Sequence, residues 1–105
     1  MASKSIKLKA NVQNGETTVK ALIIHPMETG RRKDKDSGEL VPAHYIQELT
    51  CSYQGEAVMT AEWGPTISKN PFLSFTFTGG APGEAIELTW KDNTGDSETA
   101  SATIT

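Results

Sequence analysis

Two imidazoles, His25 and His44, and one thiol, Cys51, are the groups in this sequence best suited to hold a metal or attack an electrophile. Nitrogen and sulfur donors of this kind suit zinc or copper. Strand parity argues against a shared site. His44 and Cys51 lie an odd number of residues apart in one extended run, so their side chains leave on opposite faces unless a bulge intervenes. His25, on a neighbouring strand, is the imidazole whose approach to Cys51 the spacing allows. The thiol itself sits between Leu49 and Tyr53 on an apolar face. That is the setting of a core cysteine, not of a nucleophile, which needs exposure and a nearby base or helix N-terminus.

The second chemistry-bearing stretch is the connection HPMETGRRKDKDSGELVPAHY, residues 25–45. Pro26 stops a strand ladder, and Met27 then places a large apolar side chain in a polar segment. Met27 is either a plug under the rim of the fold or a contact offered to a partner; methionine serves both roles. Arg31, Arg32 and Lys33 cluster ahead of the acids Asp34, Asp36 and Glu39. Such a run is ordinarily a solvated face, and the alternative is an anion or an acidic partner. The segment DKDSGE lacks the third acid and flanking helices of a calcium loop. GGAPGE carries no lysine and leads into another strand, so it offers no helix N-terminus to a phosphate.

These groups must be positioned by strands, because the hydrophobic period stays near two along almost the whole chain. Ile6, Leu8, Ala10 and Val12 alternate with polar residues, and Asn14-Gly15 then supplies a hairpin turn. TTVKALIIH follows as a central strand that reads as covered on both faces. In AHYIQELTCSY, Tyr45, Leu49, Cys51 and Tyr53 share one face, while His44, Glu48, Thr50 and Ser52 share the other. Ile46 is the apolar exception on that second face. EAVMTAEW groups Ala57, Met59, Ala61 and Trp63; NPFLSFTFT groups Leu73, Phe75 and Phe77. EAIELTWK and SETASATIT complete the pattern. GPTISKNP has room for a helical turn at most, between Pro65 and Pro71. The expected fold is all-β, an immunoglobulin-like antiparallel β-sandwich of about seven strands, without the Cys-Trp-Cys signature of an antibody domain.

The 105 residues are enough for one core, so a single domain over 1–105 is expected. With 36% apolar and 22% charged residues the core must be economical. A net charge of −3 provides no field for nucleic acid. No apolar run approaches the ~20 residues of a membrane span, and MASKSIKLKANV alternates where a secretory signal would be continuously apolar. One cysteine excludes a disulfide within the chain.

HPMETGRRKD resembles the His-Pro-Met-acid-small-Gly-x-Arg pattern of SoxZ, the Z subunit of the bacterial sulfur-oxidation (Sox) system. LTCSYQGE, ISKNPFLSF and LTWKDNTG are similar to that family in content, order and spacing, over nearly the whole chain. The resemblance implies a non-catalytic scaffold subunit without cofactor or metal. In that family the chain forms a heterodimer with SoxY, which carries thiosulfate-derived sulfur on a cysteine in a flexible C-terminal Gly-Gly-Cys-Gly-Gly arm. This chain ends in SATIT, so the cargo is expected on the partner. The missing signal is then explained by export to the periplasm with a signal-bearing partner. Transient contacts with other Sox enzymes, and self-association of the isolated chain, are further expectations. In this reading residues 25–45 form a recognition loop. His25 and Met27 would pack on the partner or the base of its arm, Arg31, Arg32 and Lys33 would offset a sulfonate or an acidic partner, and Ile46 is a second contact. The alternative is a generic immunoglobulin-like binding module of unknown ligand.

Overall fold

The computed structural model describes residues 5–64 and 67–105, so Pro65 and Thr66, and with them part of the expected helical turn, lie outside the described residues. The described residues form seven strands: β1 Ile6–Gln13, β2 Glu16–Ile23, β3 Ile46–Tyr53, β4 Glu56–Glu62, β5 Phe72–Thr78, β6 Ala85–Asp92 and β7 Ser97–Thr103. They make an all-β sandwich. One sheet has the order β1-β2-β5 and the other β4-β3-β6-β7, and every pairing within them is antiparallel.

The core lies between the sheets. Val19 and Ile23 from one sheet meet Leu49, Ile86 and Leu88 from the other, all fully buried, with Ile46 and Ile104 closing the ends. Each except Ile46 is the inward member of a two-residue alternation, which is why period two was the dominant pattern. The turns follow their chemistry. Asn14-Gly15 joins β1 to β2 with φ values of 55° and 77°, the doubly positive backbone of a tight hairpin.

Two departures from plain alternation matter. The register of β3 against β6 shifts between Ile46 and Glu48, and that of β3 against β4 shifts between Cys51 and Ser52. The first bulge turns Ile46 inward, onto the same side as Leu49 and Cys51, and so corrects the expectation that it shares a face with Glu48. The second pairs Ala57 with Ser52 on the outer face, away from Met59 and Ala61.

β2 is central in its sheet but covered on one side only. Its outward residues Leu22 and Ile24 stand half-buried and exposed, with Phe72 paired opposite Leu22 and also exposed. The apolar run LII therefore does not mark a doubly covered strand here. At the other end of this sheet, Thr17 Oγ1 donates to the Gly79 carbonyl, and Gly80 passes so close that a β-carbon there would collide with that hydroxyl. Only glycine satisfies both this approach and a φ of 90°. Among the described residues no helix is long and apolar enough to cross a membrane.

Candidate functional site

The connection between β2 and β3 is not a free loop. Glu28 bridges His44, and Lys33 bridges Leu40, so residues 28–44 fold back on themselves as a narrow antiparallel ribbon. Asp34 accepts the Asp36 amide and closes the turn at its tip. Thus the segment once compared with a calcium loop uses an acid for turn chemistry. The ribbon is gripped at both ends. At its start, the His25 amide donates to Asn70 Oδ1 while the Asn70 amide donates to the His25 carbonyl, both at 3.0 Å. At its finish, the Tyr45 amide donates to Asn93 Oδ1, and Asn93 returns bonds to the carbonyls of Ala43 and Tyr45.

Across this base lies a buried polar cluster. Asp92, with a fully buried side chain, accepts five donors. Oδ1 takes the Thr94 amide, the Thr94 hydroxyl and the Asp96 amide; Oδ2 takes His25 Nε2 at 3.3 Å and His44 Nε2 at 2.7 Å. The two imidazole rings meet edge to face with centroids 4.6 Å apart, and His25 also stands edge-on to Trp90 at 5.1 Å. Burial opposes a charge on Asp92, yet the bonds from Thr94, His25, His44 and Asp96 prevail and hold the carboxyl well below the usual carboxylate range. For His25 burial dominates. It lowers the imidazole below its ordinary value, against the pull of Asp92 and with the help of neighbouring His44.

His25 has a second partner that fixes its tautomer. Its Nδ1 accepts the Met27 amide at 3.0 Å, so the ring proton of the neutral form sits on Nε2 and points at Asp92. Met27, at φ 48°, bends back over the core with 4% of its surface exposed, and its sulfur accepts the Ile46 amide at 3.4 Å. This amide lies at the head of β3 beside the bulge, and the thioether supplies its acceptor. His-Pro-Met is therefore a latch: ring to backbone, ring to carboxylate, sulfur to backbone.

His25, His44 and Asp92 bring three possible ligand atoms within 4.8 Å of one another, a donor set that would suit zinc. The hydrogen bonds argue against that use. A ligating Nε2 must offer its lone pair, which moves the proton to Nδ1, where the Met27 amide already points. Metal-bound histidines donate from their second nitrogen; this one accepts. The trio fits a hydrogen-bond lock and does not fit a metal centre.

The structure thus distributes the sequence-derived site residues in two groups. His25, Met27 and Ile46, with exposures of 3%, 4% and 0%, belong to the interior of this chain and offer no surface to a second protein. Of the two roles open to Met27, it takes that of plug. Arg31, Arg32 and Lys33 are exposed on the ribbon. Arg32 is engaged by Glu28 through Nε and Nη2, at 2.8 to 3.1 Å, which leaves Arg31 and Lys33 as the outward cations of that basic run, with Lys35 also exposed at the tip. Cys51 stays apart from the imidazoles, fully buried opposite Met59 and Leu88, and burial pushes its thiol up to about 11. Sequence reasoning missed Asp92. Its signal was present in DNTGD, where an aspartate with threonine two residues on and glycine next favours an Asx turn that leaves the second carboxylate oxygen free to reach sideways.

Among solved structures, the chain is similar to a superoxide reductase (neelaredoxin) from Ignicoccus hospitalis, with a TM-score of 0.63 and 16% identity, covering 95% of this chain and 78% of that one. At that identity the likeness is one of fold. No curated protein matches the sequence significantly. The family described as "Sulphur oxidation protein SoxZ" matches residues 6–103, which include His25, Met27, His44, Asp92 and the whole ribbon. The chain belongs to the SoxZ family of sulfur-oxidation proteins.

Proposed function

We propose that this chain is the non-catalytic scaffold subunit of a SoxYZ-type sulfur carrier complex in thiosulfate oxidation. It binds a SoxY-like subunit whose C-terminal cysteine carries the sulfur, and it reaches the periplasm by co-export with that signal-bearing partner. The observation that carries this reading is the state of the reactive groups. The single thiol is fully buried with its pKa raised to about 11, and Asp92, His25 and His44 are consumed by one another and by the backbone. Among the described residues, every buried side-chain nitrogen or oxygen has a hydrogen-bond partner. What the fold does offer is a stiff ribbon clamped at its base, with Arg31 and Lys33 outward and Leu40 57% exposed. The exposed cations Arg31 and Lys33 on it suit an anionic sulfonate on the partner's cysteine or an acidic enzyme surface.

Co-expression with the SoxY-like subunit, followed by sizing and a thiosulfate-dependent turnover assay, tests the reading. A stable heterodimer is expected. Arg31→Glu with Lys33→Glu should leave folding intact and lower turnover or partner affinity. A chain that remains alone beside its SoxY-like partner, or that takes covalent sulfur on Cys51, overturns it.

A further inference from the structure

A concavity lies far from the ribbon, where the two sheets meet along β1 and β7. After β7 the chain leaves its own sheet and pairs with the outer edge of β1: the Val12 amide donates to the Thr105 carbonyl, and the Thr105 amide donates to the Ala10 carbonyl. Ile104 bridges Ala10 in the parallel sense. This pairing covers only one half of β1. Since the backbone groups of Ala10 and Val12 face outward, strand alternation turns those of Ile6 and Leu8 the same way. Among the described residues no strand pairs with them there. Beside this open edge is a groove of about 750 Å³ between β1, β2 and β7. Leu8 and Ala102 contribute apolar surface; Lys9, Lys20, Ser101 and Thr103 contribute its polar lining.

The charge here is one-sided. Lys9 and Lys20 stand directly opposite each other on paired strands, with Lys7 one pleat away, and no acidic side chain lines the groove. Like charges in cross-strand register cost stability in the isolated sheet. In a chain of net charge −3, these lysines are three ammonium groups gathered on one face, and none of them forms an ion pair among the described residues.

We propose that this groove receives an extended acidic segment of the partner subunit, added as a strand to the open half of β1. Main-chain bonds to Leu8 would continue the pairing that Thr105 begins, as in recognition by strand addition. Alternate side chains of such a segment face opposite ways. Small or apolar ones meet Leu8 and Ala102, and carboxylates meet Lys9 and Lys20. The inference rests on the reading of this chain as a scaffold and specifies one surface of that scaffold.

The test uses the full chain and a purified SoxY-like subunit. Amide hydrogen exchange is followed at Leu8 with and without the subunit, and affinity is measured for the wild type and for Lys9→Glu combined with Lys20→Glu. Both lysines are exposed, so the variant keeps the core. The expected results are slowing of Leu8 exchange in the complex by about tenfold or more, and an affinity loss of about tenfold or more in the variant with a weaker dependence on salt. A complex that forms with unchanged affinity in the variant and unchanged exchange at Leu8 overturns the groove and leaves the scaffold role standing. Failure of the wild-type chain to bind overturns both.

Discussion

The sulfur of Met27 accepts the backbone amide of Ile46 across a gap of nineteen residues in sequence and 3.4 Å in space. A thioether is a weak acceptor, and here it serves the amide at the head of β3, next to the bulge that separates Ile46 from Glu48. Replacing Met27 by alanine should therefore cost more than its packing volume suggests. A loss of roughly 2–5 kcal/mol is expected from the cavity alone, with the stranded Ile46 amide adding to it. Urea denaturation of Met27→Ala and Met27→Leu checks this. Leucine should recover much of the packing and none of the hydrogen bond.

Asp92 should be the most sensitive polar position. Removing its carboxylate leaves His25, His44, Thr94 and Asp96 with unmatched donors at the base of the ribbon. Asp92→Ala is expected to lose about 3–5 kcal/mol, the usual cost of breaking a buried charged network from one side. Asp92→Asn keeps the shape and should lose less. The measurement is the urea midpoint of both variants, read with hydrogen exchange at Thr94 and Asp96, which should quicken first.

The latch also sets a pH dependence. Burial lowers the His25 imidazole, with His44 adding to the effect and Asp92 opposing it, so below the ordinary value of 6.5 the unfolded chain takes up a proton that the folded chain refuses. Stability is complete above pH 6.5 and falls as the pH drops through the folded value, by at most about 1.4 kcal/mol per unit for one proton. Asp92, held low, adds a second loss below its ordinary value of 3.8, where the unfolded carboxylate protonates first. Urea midpoints at pH 8, 6.5 and 5 should decline for the wild type. His25→Gln should be less stable at pH 8 and flatter between 6.5 and 5.

Gly80 and Gly95 separate collision from strain. Both have positive φ, 90° and 93°, but a β-carbon on Gly80 strikes the Thr17 hydroxyl whereas one on Gly95 meets nothing within 4 Å. Gly95→Ala should cost about 1–2 kcal/mol from backbone strain alone. Gly80→Ala should cost clearly more and disturb the Thr17 bond to Gly79. Thermal unfolding of the two variants side by side decides.

Cys51, with its thiol pushed up to about 11, should resist iodoacetamide at pH 8 in the folded protein and react readily in denaturant. Fast labelling of the native chain would contradict its placement between β4 and β6.

The sandwich was legible in the sequence because inward-facing rows such as Val19, Ala21, Ile23 and Ile86, Leu88, Trp90 follow the strand period without interruption, and only β3 and β4 carry register shifts. The site was legible only in part. The basic run Arg31 to Lys33 announced an exposed segment, and the odd Met27 announced a special position. What hid the latch was a change of parity. A period-two reading through AHYIQELT assigns Ile46 to the outside, and nothing in the residue types of Ile46, Gln47 and Glu48 marks the extra residue. Asp92 was hidden for a different reason. Its partners His25 and His44 are distant in sequence, and only the packing of β6 against the base of the ribbon brings them together. The uncovered outer face of β2 was misread because Leu22, Ile23 and Ile24 are contiguous apolar residues whatever lies above them.

The bulge beside Gln47 has a consequence for how such chains evolve and are compared. It acts as a phase marker: every side chain before it is counted from one origin and every side chain after it from another. Deleting that single glutamine would place Ile46 two residues before Leu49 and keep it inward by plain alternation. Keeping the glutamine without the bulge would instead rotate Ile46 into water and leave the methionine sulfur without its amide. In this stretch the number of residues is as much a determinant of the structure as their identity.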